Sequence, residues 1–173
     1  MLSPSIIYDN CYKMWAVKHG KDPKKIVLLE SKDAINWAPC ITCTFTDTIP
    51  HPWHIDVQHI DGYYWLVDYE LSNCIDLYKS SDGFTFSFVK TLVRQEGVYG
   101  CKDEYGLYRA SLVKVSDKDN RLYYSTKSRF CTHIALLQGE SVENMQPVNI
   151  GGGKFHTFVL ALSVCRVKGF VCA

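Results

Sequence analysis

Charge of one sign, long apolar runs and cysteines at metal-binding spacing are all missing from this chain, and each absence closes off a class of function. Lysine and arginine number 19 against 18 aspartates and glutamates, a net charge of +1 over 173 residues. That balance gives no electrostatic footprint for nucleic acid or for an anionic membrane surface. No block of like charges and no low-complexity segment interrupts the chain. The most apolar stretch, residues 158–165, is far too short to span a bilayer and is followed by Arg166 and Lys168. It reads as a closing strand or a short helix, which periodicity alone does not separate. Met1-Leu2-Ser3-Pro4 runs directly into a strand pattern, without the charged and apolar regions of a secretory signal.

Eight cysteines are present, yet they are scattered. Cys40 and Cys43 form one C-x-x-C pair with neither a second pair nor a histidine cluster beside it. Their surroundings alternate like a strand, which points the two thiols to opposite faces. No loop has the oxygen-ligand spacing of a calcium site. The expectation is therefore no metal and no cofactor, with the scattered thiols favouring a reducing, cytoplasmic compartment.

What is present is repetition. A strand ends in a turn pair at Asp9-Asn10, at Asp61-Gly62 and at Asp119-Asn120. These residues tolerate the positive φ of two-residue hairpins. A tyrosine-rich strand follows each time: 12–17, 63–67 and 122–125. A third apolar strand comes next, at 26–30, 75–79 and 134–138. In two copies it closes with matched tails, Ser31-Lys32-Asp33-Ala34-Ile35-Asn36-Trp37 and Ser80-Ser81-Asp82-Gly83-Phe84-Thr85-Phe86. The aspartate of each tail is expected to accept backbone N–H bonds inside a turn, with Gly83 left-handed. Trp15, Trp37 and Trp65 read as packing residues of the repeated units.

A four-stranded unit of about 50–60 residues, repeated, predicts an all-β chain of β-propeller blades. An antiparallel sandwich with similar hairpins is the alternative. The expected blades cover 3–49, 50–95 and 104–150, with a tail at 151–173. Three blades are too few to close a ring, so the reading is a partial propeller, either a portion of a longer chain or one completed by another chain. Exposed blade edges make self-association an expected property.

In a propeller the first strand of each blade lines the central channel. In the second repeat, period two places His54, Asp56 and Gln58 on one face and Ile55 and Val57 on the other. In the third, Arg109 and Ser111 separate from Ala110 and Leu112 in the same way. Two neighbouring inner strands thus offer His54, Asp56, Gln58, Arg109 and Ser111 to one cavity. Trp53 and Tyr108 stand at the strand entrances, where flat rings stack on sugars. Arg109 is expected to lower the pKa of Asp56 and keep it ionised.

The repeats, the Ser-x-Asp-Gly-x-x-Trp-like tails and the strand Pro52-Trp53-His54-Ile55-Asp56-Val57 resemble the five-bladed β-propeller glycoside hydrolases. That superfamily includes the arabinofuranosidase/xylosidase, levansucrase and invertase-like families. Ser3-Pro4-Ser5-Ile6-Ile7-Tyr8 with Tyr12-Lys13-Met14-Trp15 resembles the start of one of their blades. The resemblance covers roughly residues 3–150. It implies a glycan or oligosaccharide ligand and carboxylate catalysis, in which one group protonates the leaving oxygen and another attacks or activates water. Asp56 matches the aspartate that tunes the acid or stabilises the transition state. Glu104, just before the third inner strand, is the candidate partner acid. His54, Arg109, Ser111, Trp53 and Tyr108 are the implied substrate-binding residues. The Glu-Gly-Pro and Arg-Asp-Pro signatures of those families are absent, as is a first-blade aspartate.

Three functions remain open at this stage. One is a propeller that hydrolyses a glycan, weakly or not at all as this chain alone. The others are a non-catalytic carbohydrate-binding propeller and a structural piece of a larger protein. The number of carboxylates facing the axis separates the first two.

Overall fold

A computed structural model describes residues 1–20, 24–70, 74–94, 107–127 and 132–148. Alternating apolar residues separated by turn chemistry fold into three meandering antiparallel sheets. The first contains β1 (Leu2–Asp9), β2 (Cys11–Lys18), β3 (Lys25–Ser31) and β4 (Ile41–Thr42). The chain then adds β5 (Thr44–Phe45) to the second sheet, whose remaining strands are β6 (Pro52–Ile60), β7 (Tyr63–Glu70), β8 (Cys74–Ser80) and β9 (Thr85–Arg94). The third contains β10 (Leu107–Ser116), β11 (Asp119–Lys127), β12 (Thr132–Gly139) and β13 (Gln146–Val148).

Two local expectations need correction. The fourth strand of the first sheet does not run on: it breaks at Cys43, and β5 pairs in parallel with β9 through Thr44↔Thr85 and Phe45↔Phe86. The middle sheet therefore has five strands, because burying the Cys43 and Phe45 side chains against Tyr78 and Phe86 draws the segment across. The third hairpin turns at Asp117-Lys118, not at Asp119-Asn120. Both of the latter residues lie in β11, held there by side-chain partners. Asn120 donates Nδ2–H to the Glu140 carbonyl, and Asp119 accepts from Arg121 and Gln138.

The other hairpins form where turn chemistry puts them. Asn10 has φ +57°, and Asp61 and Gly62 have φ +53° and +78°. Positive φ at both central residues is the primed turn that matches strand twist. The two Ser-x-Asp tails fold into one motif. Asp33 Oδ1 accepts the N–H groups of Ile35 and Asn36 at 2.9 and 2.8 Å, and Asp82 Oδ1 those of Phe84 and Thr85 at 2.8 Å each. The residue after each aspartate, Ala34 or Gly83, is left-handed at φ +59° or +75°.

The sheets stack face against face. Trp15, Val17, Ile26 and Leu28 of the first meet Ile55, Val57, Tyr64 and Leu66 of the second. On the opposite face of the second sheet, Trp65, Val67, Tyr69 and Leu77 meet Leu107, Leu112, Leu122 and Tyr124 of the third. Both faces of β7 are thus buried, which is why its sequence reads as a nearly continuous apolar run. Cys40 and Cys43 pack into clusters on opposite sides of the first sheet, as their alternation required. β1, β6 and β10 are the inner strands of their sheets, with β6 packed against both β1 and β10. The tail 151–173, with its apolar stretch, lies outside the described residues.

Candidate functional site

The three inner strands converge on Asp56. Its Oδ2 accepts the Leu112 backbone N–H of β10 at 2.7 Å. Its Oδ1 lies 3.1 Å from Ser5 Oγ of β1 and 3.4 Å from Gln58 Nε2 on its own strand. Ser5 in turn accepts the Val57 N–H at 2.9 Å. One carboxylate therefore ties three sheets together. Burial pushes the Asp56 carboxyl above the usual carboxylate range, while the bonds from Leu112, Ser5 and Gln58 pull it partly back. This reverses the expected lowering by Arg109: no ion pair joins the two among the described residues, and desolvation dominates.

His54, two residues earlier on the same face, places Nδ1 3.2 Å from Ser3 Oγ. Its Nε2 is buried without a hydrogen-bond partner. The ring lies edge-on to Tyr108 at 4.7 Å and parallel to Tyr69 at 6.3 Å. Burial, then Arg109, then Lys24 lower its pKa, so the imidazole is neutral at pH 7. Lys24 sits over the Trp53 ring with Nζ 3.5 Å from the centroid. That cation covers one face of the indole.

A cavity of about 380 Å³ opens beside Asp56. His54, Asp56, Arg109 and Ser111 all line it, together with Ser3, Tyr123, Ser125 and Ile134. Trp53 and Tyr108 do not line it; they flank His54. The Tyr108 ring is exposed, and the Arg109 guanidinium carbon lies 6.0 Å from its centroid. The Arg109 backbone N–H donates to Ser125 Oγ at 3.2 Å. Glu104 lies outside the described residues.

Sequence reasoning missed Ser3, Ser5, Tyr123 and Ser125. Period two on β1 groups Ser3 with Ser5, and that was the available signal. Tyr123 and Ser125 share a face with Ser111 only once the β10–β11 register pairs Ser111 with Tyr123. Among the described residues no group of three or more His, Cys, Asp or Glu is placed to hold a metal ion. No helix there is long and apolar enough to cross a membrane.

No protein-family description and no curated protein matches the sequence. Solved structures do match. The Bacteroides ovatus Xyloglucan PUL GH43B protein superposes with a TM-score of 0.62 at 12% identity, over 86% of this chain and 29% of its own. Zg3597, a family 117 glycoside hydrolase from Zobellia galactanivorans, gives 0.63 at 14%, over 86% and 55%. A Bombyx mori GH32 beta-fructofuranosidase gives 0.59 at 13%, over 87% and 35%. This is the fold of the propeller glycoside hydrolases. At such identities the likeness speaks for fold alone, and the chain spans between about a third and about half of those structures' length.

Proposed function

We propose that this chain is a glycan-binding portion of a glycoside-hydrolase-like propeller, with little or no hydrolytic turnover by itself. The observation that supports this is the state of Asp56. It is the one carboxylate lining the cavity among the described residues, and both its oxygens are engaged by the chain's own donors. Glycoside hydrolysis needs two carboxyl groups flanking the bond, about 5–5.5 Å apart for retention or about 6.5–9.5 Å for inversion. A carboxylate anchored between Leu112 and Ser5 suits holding a site in shape better than attacking carbon or activating water. The remaining lining is that of a binding cleft. Arg109 and the hydroxyls of Ser111 and Tyr123 are the lining groups suited to sugar hydroxyls, with Tyr108 as the exposed ring nearby.

The test combines chromogenic arabino-, xylo- and fructo-configured glycosides with oligosaccharide titrations of the purified chain. Detectable binding with turnover near background is expected, because a positioned acid or base alone is worth roughly 10²–10⁴-fold. Robust turnover abolished by both Asp56→Asn and Glu104→Gln would replace this reading with a working hydrolase.

A further inference from the structure

The cations of this molecule are not equivalent. Lys13, Lys79, Lys114 and Arg121 each contact a carboxylate, and Arg121 is forked onto Asp119 at 2.6 and 3.0 Å. Arg109 is exposed, has no carboxylate within 4.0 Å among the described residues, and is the one Lys or Arg among them that lines the cavity. The acid beside it, Asp56, turns both oxygens towards Leu112 and Ser5. Burial first, then Arg109 and Lys24, hold the His54 imidazole below its usual pKa. Among the described residues the cavity thus presents one guanidinium fork, the hydroxyls of Ser111 and Tyr123, and a single carboxylate whose oxygens are both engaged.

We propose that the ligand of this cavity is an acidic sugar, its carboxylate taken by Arg109 and its hydroxyl groups by Ser111 and Tyr123. The proposal rests on the glycan-binding reading and narrows it. A planar guanidinium matches two carboxylate oxygens in parallel. A phosphate or sulfate ester is the poorer fit, since the second cation, Lys24, is seated on Trp53 and does not line the cavity. A volume of about 380 Å³ is at the lower end for small-ligand pockets, the size of a short saccharide.

The full chain, titrated by NMR or calorimetry, tests this with methyl glucuronoside and methyl galacturonoside against methyl glucoside and methyl galactoside. Acetate serves as the simple-anion control. The uronosides are expected to bind at least about tenfold more tightly than their neutral counterparts. That ratio is expected to collapse towards one in Arg109→Gln and to recover only partly in Arg109→Lys, with circular dichroism confirming the fold of each variant. Equal binding of acidic and neutral sugars overturns the proposal and leaves the glycan reading standing. Acetate binding as tightly as the uronosides, or a preference that survives Arg109→Gln, also overturns it. Binding of neither sugar class removes both readings.

Discussion

Asp56 and Asp82 show how opposite environments give two aspartates opposite pH behaviour. Asp82 sits at the surface and accepts two backbone N–H bonds, which lower its pKa. Its stabilising contribution is present above the unfolded value and is lost as pH falls through the lower folded value. Replacing Asp82 with Ala is expected to cost about 1–2 kcal/mol at pH 7, as for the loss of a helix cap. Urea unfolding at pH 7 and near pH 3 should show that difference shrinking in acid. Asp56 runs the other way. Burial raises its pKa, so its contribution is fully present below the unfolded value and lost as pH rises through the folded one. Asp56→Asn is therefore expected to be best tolerated at neutral pH, and to lose ground against the wild type as the pH is lowered. A uniform penalty from pH 7 to pH 4 in the same unfolding experiment would show that burial of the charge is not the governing effect.

The turn elements reveal which glycines the fold depends on. Gly83 and Gly62 are both left-handed, at φ +75° and +78°. A Cβ on Gly62 would meet nothing within 4 Å, whereas one on Gly83 would lie 3.1 Å from the Trp15 ring and 3.3 Å from that of Tyr64. Gly83 also presents its carbonyl to Trp15 Nε1–H at 2.8 Å, which links two sheets. Gly62→Ala should cost about 1 kcal/mol from backbone conformation alone, and Gly83→Ala clearly more. Comparing the melting temperatures of the two variants checks the order. The elements were largely legible in advance, since Asp-Gly and Ser-x-Asp-Gly act locally. The third hairpin was not, because Asp119 and Asn120 are claimed by partners on β12 and beyond it that no local pattern announces.

The molecule as a whole is held by two aromatic-rich layers between sheets, and Trp15 is the largest fully buried side chain of the first. Trp15→Ala is expected to cost about 3–5 kcal/mol, a large share of the roughly 5–15 kcal/mol that a domain possesses. Chemical denaturation of the purified variant measures it, and a loss below about 1 kcal/mol would mean the first sheet is not docked through this ring. The meandering antiparallel strands and the shared face of His54 and Asp56 on β6 were readable from the sequence, because hydrophobic periodicity and turn residues act over a few positions, whereas the crossing of β5 into the middle sheet was not. The same short-range logic brought His54, Asp56, Arg109 and Ser111 forward as one group. Only the tertiary structure supplies the surroundings of that group. The capping of Asp56 by Leu112 and Ser5, the upward shift of its pKa and the covering of Trp53 by Lys24 all arise between segments distant in sequence. Desolvation and hydrogen bonding depend on which neighbours the folded sheets bring within a few ångströms, and residue spacing along the chain does not encode that.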